Sequence, residues 1–290
     1  MARKLYPAML TPLTEGGEGV DRPAFRPMID FLLDHGADGL FVCGTTGEGI
    51  SLDLDERKRV LRWAREALDG RGDLIVHAGA QTTRETIVLA SDAVTVGVDG
   101  VAVIPPPYYP LDDRELAAHL VAAARACAPA PFFIYCFTAR SGYPVPVPVI
   151  ERVREQAGNL AGLKVSEPRF QDLEAYLALG LPVYVGNEPL IARAGAVADI
   201  AGSVSALASV FPQATRALLD DPTPERAEAV RALRDAVSRP SVPAAAKALL
   251  GRRGIPVRPD LRAPLRAADA GEVEAADERA AAVLGAAAGR

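Results

Sequence analysis

Cysteine and long apolar runs are scarce in this sequence of 290 residues. The three cysteines, Cys43, Cys127 and Cys136, lack the close spacing of a metal-binding motif. Cys43 and Cys136 lie in apolar, strand-like runs, so we expect them to be buried, reduced thiols. No stretch approaches 18 uncharged apolar residues, so the sequence predicts no membrane-spanning helix.

The N-terminus and the charge balance exclude further classes of protein. Residues 1–9 contain no apolar segment long enough for a signal peptide, and Pro7 interrupts them. The formal net charge of −5 gives no electrostatic reason to expect a nucleic-acid partner. We therefore expect a cytoplasmic protein that binds neither nucleic acid nor membrane.

What the sequence does contain is an alternation of short apolar runs and longer helical patterns. With 49% hydrophobic and 24% charged residues, a chain of this length can bury a large core, and α/β barrels of this size often form one domain. The apolar runs predict eight strands, at residues 5–10, 39–43, 74–78, 100–104, 132–137, 160–166, 183–185 and 200–204.

Helical periodicity fills the segments between these strands. It predicts one helix that begins near Asp55 and others at residues 23–35, 84–96, 113–127, 148–156, 169–178 and 190–198. Eight strand–helix units predict a parallel sheet, and eight strands close a TIM (β/α)8 barrel. The alternative, an open doubly wound sheet, would need an early GxGxxG turn, whereas the glycines of residues 44–49 come in a different order.

The pattern changes after residue 211, where only helices are predicted. These lie at residues 212–219, 224–237, 242–250 and 272–285. The expected organisation is a barrel of residues 1–211 and an appended C-terminal helical region of residues 212–290 that packs on it.

One predicted strand, residues 160–166, contains a lysine among apolar and small residues. Lys164 is unusual there because a parallel strand covered on both faces should be apolar, and burial favours the neutral, nucleophilic amine. Desolvated lysines form Schiff bases with carbonyl substrates. The alternative interpretation is a lysine whose stem is packed while its ammonium reaches water.

In a barrel, catalytic residues lie at the carboxyl ends of the strands. Neighbouring strands are about 5 Å apart, so Tyr135 can face the same site as Lys164. Each candidate also has a structural explanation, such as a core tyrosine or a tight glycine turn, but all of these would have to hold together. The polar residues at the predicted strand ends are Thr11, Thr45, Thr46, Tyr108, Tyr109, Tyr135, Arg140, Lys164, Glu188 and Ser205.

Several motifs together resemble those of the dihydrodipicolinate synthase/N-acetylneuraminate lyase family of class I pyruvate-type aldolases. Residues 44–48 read GTTGE, residues 106–109 read PPYY, residues 162–166 read GLKVS and residues 202–205 read GSVS. Lys247 and residues 258–261 are similar to the family's C-terminal helices. The resemblance covers almost the whole chain, and it implies a TIM barrel and a homo-oligomer built as a dimer of dimers, that is, a homotetramer.

The resemblance also implies roles for individual residues. Lys164 would form an imine with a 2-oxo acid, and Thr45 and Thr46 would hold the substrate's carboxylate. Tyr135 would shuttle protons together with Thr46 and with Tyr109, which a neighbouring subunit often contributes. The further substrate-binding residues implied are Arg140, Glu188, Val204 and Ser205. No metal or organic cofactor is implied.

The sequence departs from the family around the fifth strand, where the usual YNxPxxTG becomes YCFTARSG. Cys136 and Thr138 replace the asparagine and the proline, and Pro110 follows the double tyrosine. Arg140 lies where the synthases bind an aldehyde's carboxylate, whereas Glu188 lies where the sugar-acid lyases have an acidic residue. We expect an aldolase or hydro-lyase acting on pyruvate or a longer 2-oxo acid. The alternatives are a 4-hydroxy-tetrahydrodipicolinate synthase and an inactive keto-acid-binding protein.

Overall fold

The backbone of a computed structural model of the chain is described for residues 2–288. Within these residues, eight parallel strands form one sheet with the order β1-β8-β7-β6-β5-β4-β3-β2. The strands are β1 (Lys4–Pro7), β2 (Gly39–Val42), β3 (Asp73–His77), β4 (Gly100–Val103), β5 (Phe132–Cys136), β6 (Leu160–Val165), β7 (Val183–Val185) and β8 (Gly202–Ser205). The predicted TIM barrel is confirmed.

The barrel closes where β1 changes its neighbour. The amide of Ala8 donates to the carbonyl of Ser205 on β8 (2.7 Å), and Ala8 also forms a bridge to Phe41 on β2. The first strand is therefore shorter than predicted, because the chain leaves β8 at this point and turns toward β2. The eighth strand starts two residues later than predicted, at Gly202.

Twelve α-helices occur in the described part of the chain. They are α1 (Phe25–Asp34), α2 (Leu54–Leu68), α3 (Thr83–Val96), α4 (Asp113–Cys127), α5 (Thr138–Ser141), α6 (Val147–Gln156), α7 (Phe170–Leu177), α8 (Ile191–Val197), α9 (Pro212–Asp220), α10 (Pro224–Ala236), α11 (Val242–Arg252) and α12 (Ala270–Ala288). Capping boxes begin α2, α3 and α4, each with a side-chain acceptor at the N-cap and a glutamate three residues later. These caps explain why the starts of these helices follow from the sequence.

The hydrophobic core has two parts. A large outer cluster lies between the strands and the surrounding helices, and a smaller cluster inside the barrel includes Tyr6, Phe41, Ile75, Phe133 and Val204. Strand residues face these clusters in turn, because successive side chains of a strand point to opposite faces. The three cysteines are free and buried, which confirms the expectation for Cys43 and Cys136.

From Pro212 onward the described residues form helices and connecting segments. Helix α9 packs near β1 and β8, α10 contacts α8 and α9, and α12 packs on α10 and α11. The division at residue 211 stays a prediction, although no further strand follows β8 within residues 2–288. None of the helices in this range is both long enough and apolar enough to cross a membrane.

Candidate active site

The site lies inside the barrel at the carboxyl ends of β5 and β6. In the sheet register Lys164 lies between Tyr135 on β5 and Tyr184 on β7. Strand β6 contains one extra residue, Ala161, opposite the step from Phe132 to Phe133. This bulge shifts the alternation of side chains along the strand.

The bulge sets the direction of the lysine. Leu160 and Leu163 both pack in the outer cluster although they are three residues apart, which strict alternation would not allow. Lys164 therefore faces the barrel interior, where its Nζ lies 3.6 Å from the centre of the Tyr135 ring and 4.2 Å from that of Phe41. No local pattern in the sequence predicts this extra residue.

Lys164 is buried, with 4% of its surface exposed. Among the described residues, no carboxylate lies within 4.0 Å of its Nζ. Desolvation lowers the pKa of Lys164, and Tyr135 and Glu188 oppose that shift in part. A lysine in this setting is held toward the neutral amine, which is the nucleophilic form.

Tyr135 connects the lysine to the outer part of the site. Its ring is buried beside Lys164, and its hydroxyl lies 3.4 Å from the hydroxyl of Thr45. Thr45 is exposed, whereas Thr46 is buried. The two hydroxyls therefore form a polar path from the ring beside the Lys164 amine to the surface.

The turn that carries both threonines is held close to the barrel. The hydroxyl of Thr11 donates to the carbonyl of Gly47 (2.6 Å). A Cβ at Gly44 would lie 2.7 Å from the Phe41 ring, and one at Gly47 would lie 2.7 Å from the carbonyl of Met9. Only glycine allows this close approach, so the motif's glycines have a structural reason to be there.

A second layer of buried polar groups, which the sequence reasoning missed, lies next to Tyr135. The His77 and Tyr135 ring centres are 6.0 Å apart, edge to face. The Ile104 amide lies 3.4 Å from His77 Nε2, and Nδ1 lies 3.1 Å from the Cys43 carbonyl, so we assign the proton to Nδ1. Burial lowers the pKa of His77 well below its usual range, with further contributions from Arg57 and Lys164.

Arg57 completes this layer from helix α2. Its guanidinium donates to the carbonyls of Gly79 (2.9 Å) and His77 (2.6 Å), and only 3% of the residue is exposed. The position of His77 at the end of a predicted barrel strand was the available signal. Arg57 lies inside a helix and offered no comparable signal.

Glu188 and Ser205 lie next to each other, and their polar atoms are hydrogen-bonded to other residues of the chain. One Glu188 oxygen accepts the Ser205 hydroxyl (2.7 Å) and the Leu207 amide (3.1 Å), and the other accepts the guanidinium of Arg234. Both residues are fully buried, and neighbouring Val204 lies in the inner cluster. A substrate hydroxyl would have to compete with these partners, and substrate binding by the three residues stays a prediction.

Tyr109 and Arg140 lie at the rim, away from the lysine's immediate contacts. Tyr109 is 73% exposed and its ring meets that of Tyr108 edge to face at 4.9 Å. Arg140 is exposed, and its guanidinium lies 5.7 Å from the centre of the Phe137 ring. Neither contacts Lys164 in the single chain.

The segment around Arg140 is not the simple loop that was predicted. It forms the short helix α5, because Glu167 accepts both the amide and the hydroxyl of Thr138 at 2.9 Å. The buried Glu167 was not among the predicted site residues. It follows Lys164 by three residues and links the end of β6 to the segment that carries Arg140.

The chain is similar to known proteins in sequence and in fold. The sequence model of the dihydrodipicolinate synthetase family matches residues 1–282. N-acetylneuraminate lyase of Rhizobium meliloti is 32% identical over 97% of this chain and 95% of its own length. 4-Hydroxy-tetrahydrodipicolinate synthase of Salinibacter ruber is 33% identical over 72% of this chain and 70% of its own length. A crystal structure of dihydrodipicolinate synthase from Aquifex aeolicus superposes with a TM-score of 0.86 and 25% identity, covering 96% of each chain.

Proposed function

This chain belongs to the dihydrodipicolinate synthetase family, and we propose that Lys164 is the amine through which it forms a Schiff base. The protein is a class I lyase that acts on pyruvate or a longer 2-oxo acid. The observation that carries the assignment to Lys164 is its burial inside the barrel with no carboxylate partner in the described chain and with its Nζ on the Tyr135 ring.

The reaction begins when the neutral Lys164 amine attacks the ketone carbon of the 2-oxo acid. A C–N bond forms and the carbonyl oxygen leaves as water, which requires protons to be moved to that oxygen. The protonated imine then accepts the electron pair that is released when a neighbouring C–C bond breaks or a proton leaves. The product of this step is an enamine on Lys164.

Tyr135 is the proposed proton carrier for these steps. Its hydroxyl lies within reach of Thr45, and its ring is in contact with the amine. Thr45 and Thr46 are proposed to hold the carboxylate of the 2-oxo acid, since hydroxyl and backbone N–H groups at a tight turn suit an anion. Tyr109 would join them from a neighbouring subunit.

The proposed contribution of Tyr109 from a neighbouring subunit requires an oligomer. Tyr108 and Tyr109 are 82% and 73% exposed, which is unusual for two adjacent aromatic residues and fits a surface covered by another copy. We expect a homo-oligomer, arranged as a dimer of dimers. Sedimentation velocity on the intact chain should give a mass of four subunits, and a monomer would contradict this expectation.

The second substrate is assigned by class only. We favour an aldolase or hydro-lyase reaction. The alternative of 4-hydroxy-tetrahydrodipicolinate synthase has one observation in its favour, the exposed Arg140, which has no carboxylate within 4.0 Å among residues 2–288. A free guanidinium fork suits an aldehyde substrate that carries a carboxylate.

The experiment that tests the proposal is reductive trapping. The protein is incubated with pyruvate and borohydride, and the intact mass and the modified peptide are determined. A reduced adduct on Lys164 is expected, with Lys164→Met as the negative control. No adduct with pyruvate or with sugar-derived keto acids would refute the Schiff-base role and favour a keto-acid-binding protein.

A further inference from the structure

A fully buried ion pair lies directly behind the threonine turn. Glu48, the last residue of the GTTGE motif, and Lys247 on α11 have no exposed side-chain surface, and the Lys247 Nζ lies 2.6 Å from the Glu48 carboxylate. Glu48 follows Thr46 by two residues. Neither charged group takes part in the imine chemistry proposed above.

The C-terminal region supplies all the side-chain and backbone donors that this carboxylate receives in the described chain. The second oxygen of Glu48 accepts the amide of Arg262 at 2.8 Å. Lys247 also donates to the carbonyl of Asp260 at 2.8 Å, and the Arg262 guanidinium pairs with Glu56 at 2.6 Å. Residues 247–262 are therefore attached to the middle of the segment that joins β2 to α2, through Glu48, and to the first turn of α2, through Glu56.

The backbone of the turn needs such an external hold. Cys43 and Glu48, which flank residues 44–47, both have left-handed backbone angles, with φ of 57° and 55°. Residues with a Cβ adopt this conformation at a cost, and it persists where the surroundings impose it. At Gly49 a Cβ would lie 1.8 Å from the Cys43 carbonyl, so the turn is folded tightly on itself.

A buried ion pair is a poor device for stability alone. Desolvation of the two charges offsets much of their attraction, and apolar replacements of similar volume are often as stable. The pair does constrain the conformation of the turn, because a carboxylate whose two donors have fixed positions selects one backbone arrangement. Here that arrangement is the one that presents Thr45 and Thr46 to the barrel.

We propose that Glu48 and Lys247 are positioning residues for the carboxylate of the 2-oxo acid, so that the C-terminal region is a working part of the active site. The pair holds the Thr45–Thr46 turn at the distance from Lys164 that the bound substrate requires. This inference rests on the proposed function, since it assumes that the two threonines hold the substrate's carboxylate.

The test measures borohydride trapping on Lys164 as a function of pyruvate concentration in the full-length chain. The variants are Glu48→Gln, Lys247→Met and the double variant, which removes both buried charges at once and so protects the fold. In each, we expect the half-saturating pyruvate concentration to rise by roughly 10- to 100-fold, as a displacement of about 1 Å can cause, while the adduct at saturation stays on Lys164.

Asp38→Asn is the matched control. Like Glu48, Asp38 accepts one backbone amide, that of Leu5 (2.7 Å), and one cationic side chain, that of Arg216 (3.1 Å), but it precedes β2 at the opposite end of the barrel. This variant should lose stability without changing the half-saturating concentration. A purely structural role for Glu48 would predict the same behaviour at both sites.

The outcomes separate the two hypotheses. A folded double variant with the wild-type half-saturating concentration overturns the positioning role and leaves the Schiff-base proposal intact. A wild-type protein that traps no 2-oxo acid overturns the proposed function, and the positioning role with it.

Discussion

Lys164 is a residue that the fold holds away from water without a counter-ion among the described residues. Its amine lies over the rings of Phe41 and Tyr135, and desolvation lowers its pKa. The same environment that makes the amine nucleophilic makes the folded state less stable, because the charged form is disfavoured only in the folded chain.

Lys164→Met should therefore abolish turnover and stabilise the protein at neutral pH, on the order of 1 kcal/mol. The sign follows from linkage: the folded pKa lies below the unfolded one, so the unfolded chain binds more protons and wild-type stability rises with pH between the two values. The extra stability of the variant over the wild type should be complete at pH values below the pKa of Lys164 in the folded chain, and it should vanish above its pKa in the unfolded chain. Urea unfolding at several pH values measures this, and a destabilised variant at neutral pH would contradict it.

Tyr135→Phe removes the proposed proton carrier and keeps the ring that contacts Lys164. Exchange of the pyruvate methyl protons with deuterium, followed by NMR, should slow by roughly 10²–10⁴-fold. Tyr184→Phe is the matched control, because Tyr184 is the register neighbour on the other side of Lys164 but packs against Tyr6 and Phe133. Equal losses in both variants would refute a specific role for the Tyr135 hydroxyl.

Among the secondary-structure elements, β6 and α5 have the largest effect on where the side chains of the site lie. The bulge at Ala161 turns Lys164 inward, and the Glu167 carboxylate holds the first residue of α5. The sequence differs from the family pattern in this segment, where Thr138 occupies the usual proline position. We infer that the Glu167–Thr138 contact shapes the turn that presents Arg140.

Glu167→Ala should then change the choice of second substrate and leave the first step intact. Against a panel of aldehydes with and without a carboxylate, the preference for the carboxylated ones should fall about 10-fold, as expected for a poorly held charge-assisted hydrogen bond. Pyruvate exchange should be unchanged. Asp172→Ala, which removes the surface partner of Arg169, is the control. An equal fall in pyruvate exchange would show a general loss of structure instead.

Across the whole molecule, the C-terminal helices do more than cover the barrel. Two buried carboxylates in the loops after β2 and β7, Glu48 and Glu188, receive their cations from this region, from Lys247 and Arg234. Leaving a buried charge without its partner costs about 3–5 kcal/mol. The barrel and the helical region are thus energetically dependent on each other.

A chain of residues 1–220 should accordingly fail to fold cooperatively, since it keeps both carboxylates and loses both cations. Circular dichroism during urea unfolding tests this, with Glu48→Gln/Glu188→Gln in the truncated chain as the variant that relieves the two charges. A truncated wild-type chain that unfolds cooperatively and traps pyruvate would contradict the dependence.

The sequence by itself determined the repeating units, and it was enough to single out the residues that we propose carry the chemistry. The eight strands follow from apolar runs and the helix starts from capping boxes, because both depend on neighbours within a few residues. The lysine inside an apolar run and the tyrosine one strand away were readable for the same reason.

Only the tertiary structure decided which buried polar side chains are paired with another residue and which remain available to a substrate. The bulge at Ala161, the pairing of Glu188 with Arg234 and that of Glu48 with Lys247 join residues that local patterns do not relate, 199 positions apart in the last case. Such contacts form because closure of the barrel and packing of the C-terminal helices bring distant segments together. Burial then requires each charge to find a partner, and the packing of the whole chain fixes which one.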